Sequence, residues 1–286
     1  MAVQNMAIAF PGQGMQRPGM AKAIEASPAW RLFEEASDIL DFDLGQLCLH
    51  GPQDNLDNTA QAQVAIFVTC LAFWELNKER FKPQVFLGHS LGEITALAAA
   101  GYLMFQDGVR LVRARGEIMA RDVSGGMLAI LGLDANTVRR LCSQVQAKSY
   151  IQIANENSPL QIVVSGEPLG LELMTELAKE HGARRVVPLN VSGPFHSQLM
   201  EGAALEFSQV VDQLEVKASN TPVLSNDGST LLREPRQIKA ELVAQLTNPV
   251  RFTKSVQKLV ELGIEKFVEI SPVGVLVPLA RRIEES

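Results

Sequence analysis

The chain has 286 residues, of which 47% are hydrophobic and 20% charged, and its formal net charge is −6. This composition is typical of a globular protein with an extensive core, and the acidic balance argues against a non-specific nucleic-acid-binding protein. The three cysteines have no spacing typical of a disulfide set or a metal site. We find neither a signal peptide nor an uninterrupted run of about 18 apolar residues, so we expect a soluble, cytoplasmic protein with no membrane span.

The first predicted strand, residues 6–10, ends in a Pro-Gly-Gln-Gly turn. Glycine lets the backbone come very near a ligand, so the N–H of Gln13 is a candidate donor to a reaction intermediate. A plain strand-to-loop turn is the alternative.

Helical periodicity follows over residues 20–40, and Pro28 opens the second part of this segment. A long apolar helix is predicted over residues 60–76, and residues 57–59 offer its N-cap. Gln63, in the first turn of that helix, either points into a cleft or caps the helix.

Residues 85–92 read Val-Phe-Leu-Gly-His-Ser-Leu-Gly, and a helix rich in small residues follows. A Gly-x-Ser-x-Gly sequence between a strand and a helix is the pattern of a nucleophile elbow, which exposes the hydroxyl of its serine, here Ser90. The N–H of Leu91 directly follows the nucleophile and is the natural first donor to an oxyanion. The alternative is that Ser90 is only a helix N-cap in a glycine turn.

A second helix is predicted over residues 105–121, where Arg115 interrupts an apolar stripe. Arginine is rarely buried without a partner, and its planar guanidinium suits a carboxylate. Alternatively, Arg115 reaches water or pairs with a structural acid. The periodicity alone leaves both readings open.

A Ser-Gly-Gly joint opens residues 124–195, and their pattern predicts the element order β-α-β-β-α-β. This order is that of the ferredoxin-like split unit. A turn is predicted at residues 157–159. The loop that leads out of this segment carries His196, one of only four histidines. His196 is the best candidate for the base of Ser90, because His89 lies beside the nucleophile and should point elsewhere. A loop histidine without a role is the alternative.

Apolar strands alternate with helices on both sides of this segment, which indicates an α/β fold with a parallel sheet. We therefore predict an α/β-hydrolase-like parallel-sheet core made of residues 1–123 and 196–286. A ferredoxin-like subdomain, residues 124–195, is inserted into it.

Six features, taken in order, resemble the malonyl-CoA:acyl carrier protein transacylases and the related acyltransferases of polyketide synthesis. They are residues 10–14, 88–92, Arg115, and residues 155–166, 191–197 and 248–256. The resemblance implies these roles: nucleophile Ser90, base His196, oxyanion-hole amides of Gln13 and Leu91, malonyl-carboxylate ligand Arg115, and further site residues Gln63 and Asn157. It also implies that a backbone carbonyl near Arg251 orients the histidine in place of an acid.

At Leu91 and Phe195 the chain resembles the malonyl-selective members of the family. The physical reason for that selectivity is that a phenyl ring fills the space that an α-methyl group needs. The implied reaction is ping-pong transfer of malonyl from malonyl-CoA to an acyl carrier protein, for fatty acid or polyketide synthesis. It requires no metal or redox cofactor. One alternative is a hydrolase that releases acyl groups from carrier protein, but such an enzyme has no use for Arg115 if its acyl chains are neutral. A non-catalytic docking module is a second alternative, and it would not need Ser90 and His196 together.

Overall fold

Two separate β-sheets organise the chain in the computed structural model, which describes residues 5–121 and 123–285. The strands of this described part are β1 (Met6–Phe10), β2 (Val85–Gly88), β3 (Gly126–Leu131), β4 (Ile151–Ser158), β5 (Gln161–Gly166), β6 (Arg185–Pro188), β7 (Val223–Leu224), β8 (Leu231–Leu232) and β9 (Lys266–Glu269).

The α-helices of the same residues are α1 (Arg31–Leu40), α2 (Leu44–His50), α3 (Gln53–Asp57), α4 (Thr59–Asn77), α5 (Leu91–Ala99), α6 (Phe105–Met119), α7 (Ala135–Val145), α8 (Pro168–Glu180), α9 (Glu201–Asp212), α10 (Pro235–Ala244), α11 (Phe252–Glu261) and α12 (Leu276–Glu284). Short 3-10 helices cover Pro28–Trp30, Lys78–Arg80 and Gln198–Met200.

The larger sheet has the order β8-β7-β2-β1-β9, and its strands run parallel except for β8, which is antiparallel to β7. Strand β1, which lies between β2 and β9, alternates between two hydrophobic layers. Ile8 and Phe10 pack into the layer that contains α4, whereas Ala7 and Ala9 pack into the layer that contains α11 and α12. Helices therefore cover both faces, as a parallel sheet requires. The α/β fold class predicted from the sequence is confirmed.

The smaller sheet is antiparallel, with the order β4-β5-β3-β6. Together with α7 and α8 it has a hydrophobic core of its own and the predicted β-α-β-β-α-β order. Its strands lie between residues 126 and 188, inside the predicted insert. The boundaries 1–123, 124–195 and 196–286 stay a prediction, and residues 1–4, 122 and 286 lie outside the described residues. Backbone hydrogen bonds from Val250 to Ala154 and from Glu156 to Val250, both 2.9 Å, join this sheet to the core.

Helix α4 is apolar all round and lies at the centre of the core. Its N-cap is Asn58, whose side chain accepts the N–H of Ala60 at 3.0 Å, as the predicted cap requires. Within the described residues, one segment, Thr59–Arg80, is long and apolar enough to cross a membrane, but 72% of its most apolar window is buried inside the fold. Burial of that extent identifies it as a core helix.

The structure corrects two sequence-based expectations and adds one helix. Residues 20–26 form turns in place of the first part of the predicted helix, whereas the second part begins at Pro28, as a 3-10 helix that continues into α1 at Arg31. Pro28 separates the two parts, because a proline disfavours the helical conformation in the residue before it, and Ser27 is extended, with φ −105° and ψ 160°. Asn157 lies on β4 and not in a turn, because the strand continues to Ser158. Helix α12 was not predicted, although its apolar residues have helical spacing.

Candidate active site

The turn between β2 and α5 has the geometry of a nucleophile elbow. Ser90 has φ 52° and ψ −112°, a strained conformation for a residue with a side chain. The flanking glycines are required by close contacts: a Cβ on Gly88 would lie 1.8 Å from the carbonyl carbon of Gly92. A Cβ on Gly92 would lie 2.0 Å from the carbonyl oxygen of Phe10. The two glycines thus let strand and helix approach so that the serine projects from the turn.

Ser90 and His196 are in direct contact. Ser90 Oγ lies 2.8 Å from His196 Nε2, and His196 Nδ1 lies 2.7 Å from the backbone oxygen of Gln245. Because a carbonyl only accepts, Nδ1 carries the proton and Nε2 is free to accept the serine proton. The orienting carbonyl therefore belongs to Gln245, and its predicted position near Arg251 is wrong. The backbone N–H of Arg251 instead donates to Asn226 O at 2.8 Å.

His196 is 3% exposed and has a positive φ of 57°. Burial, together with the nearby cation of Arg115, lowers its pKa from 6.5 to about 3. The imidazole is therefore neutral over the physiological pH range, which is the protonation state that a general base needs.

Arg115 is 1% exposed, and its guanidinium lies beside the serine. Nη2 donates to Ser90 Oγ at 3.2 Å and to Gln245 Oε1 at 2.8 Å, and Nη1 donates to Gln63 Oε1 at 2.7 Å. Nε has no hydrogen-bond partner among the described residues. Burial outweighs the opposing effect of Glu93, and together they bring the pKa of Arg115 down to about 10. The ion pairs formed by the described residues do not include Arg115, so the cation has no carboxylate partner of its own.

Two backbone amides border the serine. Leu91 is the first residue of α5, whose positive dipole end lies at the serine. The Gln13 segment packs against the elbow, since a Cβ on Gly12 would lie 2.5 Å from His89 O. Gly92 and Glu93 donate their N–H groups within the turn, but no hydrogen bond of the described residues uses the N–H of Gln13 or Leu91. These two donors are available to an oxyanion.

Comparison with known proteins identifies the family. The family model for acyl transferase domains matches residues 8–283. The chain belongs to the acyl transferase domain family. It is 43% identical to the malonyl CoA-acyl carrier protein transacylase of Bacillus subtilis strain 168, over 98% of this chain and 91% of that protein. It is 38% identical to the protein of that name from Haemophilus influenzae, over 98% and 93%.

Solved structures agree with this family. A malonyl-transacylase in complex with a type II PKS acyl-carrier protein superposes with a TM-score of 0.95 and 37% identity, covering 99% of this chain and 94% of that chain. The acyl-carrier-protein S-malonyltransferase from Burkholderia pseudomallei 1710b has a TM-score of 0.95 and 38% identity, covering 98% and 93%.

The elbow of this acyl transferase opens into a cavity of about 150 Å³ between the two sheets. All eight site residues predicted from the sequence line this cavity, namely Gln13, Gln63, Ser90, Leu91, Arg115, Asn157, Phe195 and His196. Phe195 is 5% exposed and completes an apolar wall with Met127 and Val163 of the smaller sheet. Asn157 Oδ1 lies 2.7 Å from His89 Nε2, so the histidine beside the nucleophile faces the smaller sheet and not Ser90.

Sequence reasoning missed three residues behind this acyl transferase site: Glu93, Asn226 and Gln245. Glu93 is an acid in the mainly apolar helix α5, which is itself a signal, because buried acids need a reason. Asn226 follows the carboxyl end of β7, the edge of a parallel sheet where ligands bind. Gln245 gave no comparable signal. The described residues contain no group of three or more His, Cys, Asp or Glu side chains placed to hold a metal ion.

Proposed function

We propose that this protein transfers the malonyl group of malonyl-CoA to the phosphopantetheine thiol of an acyl carrier protein. The observation that carries the proposal is Arg115, a buried cation 3.2 Å from the nucleophile, with no carboxylate partner among the described residues. An acyl group that ends in a carboxylate supplies the missing partner. The names of the relatives, all malonyl transacylases, support the same substrate and partner.

In the first half-reaction, Ser90 Oγ attacks the thioester carbonyl carbon while its proton moves to His196 Nε2. The carbonyl oxygen becomes an oxyanion, which the N–H groups of Leu91 and Gln13 stabilise. The C–S bond then breaks, and His196 returns the proton to the leaving CoA thiolate. The products are CoA and a malonyl-Ser90 ester.

In the second half-reaction, the phosphopantetheine thiol of the carrier protein attacks this ester. His196 takes the thiol proton and delivers it to Ser90 Oγ as the ester bond breaks. The balance is one malonyl group moved from one thiol to another, so the proposed mechanism requires no metal and no redox cofactor. We place the reaction in the cytoplasm as part of the proposal, for fatty acid or polyketide synthesis.

Release of acyl groups from carrier protein by hydrolysis is not favoured. A hydrolase would use Ser90 and His196 in the same way, but it would not need Arg115 for neutral acyl chains.

The test is intact-protein mass spectrometry. With malonyl-CoA, the enzyme should gain about 86 mass units, the malonyl residue, and lose them to added holo carrier protein. Ser90→Ala should abolish the adduct, and His196→Ala should slow transfer by at least ~10²-fold. Ser229→Ala, a change at an exposed serine, is the matched control and should retain the adduct. Full transfer by either active-site variant would refute the mechanism, and release of free malonate without carrier protein would favour hydrolysis.

A further inference from the structure

A fully buried carboxyl group lies directly beneath the nucleophile elbow. Glu93, on α5, is 0% exposed, and none of the ion pairs formed by the described residues includes it. Burial raises its pKa well above the usual glutamate range, and the neighbouring Glu241 raises it further. The fold therefore keeps this group at a cost that an apolar side chain would avoid. The active-site mechanism described above makes no use of it.

One oxygen of Glu93 supports the elbow. Oε1 accepts the backbone N–H of Asn226 at 2.8 Å, and the side-chain Oδ1 of Asn226 accepts the backbone N–H of Ser90 at 2.8 Å. The serine has a strained backbone, and such strain persists only where the surroundings hold it. The Glu93–Asn226 pair is a restraint of this kind.

The other oxygen of Glu93 sets the orientation of an amide. Oε2 accepts the Nε2–H of Gln245 at 2.6 Å, so the Gln245 side chain must turn its Oε1 the other way, toward Arg115 Nη2 at 2.8 Å. An amide that was flipped would place its NH₂ group against the guanidinium, donor against donor. The backbone oxygen of the same glutamine holds His196. Glu93 is thus linked through Gln245 to both the Arg115 cation and the His196 base.

We propose that Glu93 is a positioning residue for substrate recognition: through Gln245 it holds Arg115, and through Asn226 it holds the backbone of Ser90. The inference rests on the proposed function, because it takes Arg115 to bind the malonyl carboxylate. It assigns to Glu93 the selection of malonyl over uncharged acyl groups, without contact between Glu93 and the substrate.

The decisive variant is Glu93→Gln, which keeps the size of the side chain. A glutamine has one oxygen for two N–H donors, so it cannot hold both Asn226 and Gln245. We expect the preference for malonyl-CoA over acetyl-CoA, measured as the ratio of acylation rate constants, to fall by about tenfold, the effect of one buried hydrogen bond. When Arg115→Ala is already present, Glu93→Gln should lower the preference no further, because the two residues act on one contact.

Two further variants make the test specific. Thr95→Val, on the same helix, alters a fully buried hydroxyl that has no partner among the described residues, and it should leave the preference unchanged. Gln245→Met removes the amide but keeps the backbone oxygen that holds His196. It should lower the preference like Glu93→Gln, and it replaces that variant if thermal denaturation shows Glu93→Gln to be unfolded.

The outcomes separate the inference from the function on which it rests. An unchanged preference in Glu93→Gln or its replacement, or an equal fall with and without Arg115, overturns the inference. If Arg115→Ala alone leaves the preference intact, the proposed carboxylate contact fails first, and the positioning role of Glu93 fails with it.

Discussion

Replacement of Arg115 by alanine separates recognition of the substrate from the chemistry of acyl transfer. The guanidinium contacts Ser90 Oγ and the side chains of Gln63 and Gln245, whereas His196 is held by the backbone oxygen of Gln245, which the substitution leaves in place. Arg115→Ala should therefore leave the serine and its base in place while it removes the cation that meets the malonyl carboxylate.

The magnitude follows from burial. A charge-assisted hydrogen bond to a desolvated carboxylate contributes about 1.5–3 kcal/mol, and Arg115 is 1% exposed, so water cannot replace it. At about 1.4 kcal/mol per decade, the malonyl-to-acetyl preference should fall by roughly 10- to 100-fold. Acetyl-CoA has no carboxylate, so its acylation rate should be preserved or should rise in the vacated space.

The assay is the rate of acyl-enzyme formation with malonyl-CoA and with acetyl-CoA, followed by mass spectrometry. The matched control is Arg113→Ala, on the same helix. Arg113 is 39% exposed and pairs with Glu117 and Asp41 at the surface, so its removal should not alter the ratio. If Arg115→Ala slows both substrates equally, Arg115 holds the fold and does not bind the carboxylate, and the reasoning is refuted.

Three further predictions concern substrate size, the pH dependence of acylation and the pH dependence of stability. Phe195→Ser should relax selection toward methylmalonyl-CoA by ~10-fold or more, because the ring occupies the space of the α-methyl group; an unchanged ratio of specificity constants would show that Phe195 is not the gate. His196 has a folded-state pKa of about 3 against 6.5 in the unfolded chain, so kcat/KM for acylation should stay flat from about pH 7 to 5, and an apparent pKa near 6.5 would contradict this. The same shift means that the unfolded chain binds the proton first as the pH falls. His196 should therefore lower the free energy of unfolding by up to about 1.4 kcal/mol per pH unit between pH 6.5 and 3, relative to His196→Asn.

The sequence allowed firm predictions where a few adjacent residues determine both the local structure and the chemistry. The elbow is the best example, since Gly88 and Gly92, on either side of Ser90, stand at positions where a Cβ would collide with the backbone. The helix caps and the alternating order of strands and helices are local in the same sense. Arg115 was identified as unusual because it interrupts an apolar stripe, but periodicity left its partner undetermined.

The sequence by itself determined the α/β class, the elbow and the candidate base, because each can be read from the order of residues along the chain: the alternation of strands and helices, one glycine turn, and one loop histidine among four. Only the tertiary structure decided that Ser90 and His196, 106 residues apart, lie 2.8 Å from each other. It also decided that the carbonyl behind the histidine belongs to Gln245 and that a buried Glu93 joins the elbow to the arginine. These contacts connect α5, α6 and the segments that follow β7 and α10, and their geometry is set by how those elements pack. A backbone oxygen has no side-chain signature, so no pattern in the sequence could have assigned it.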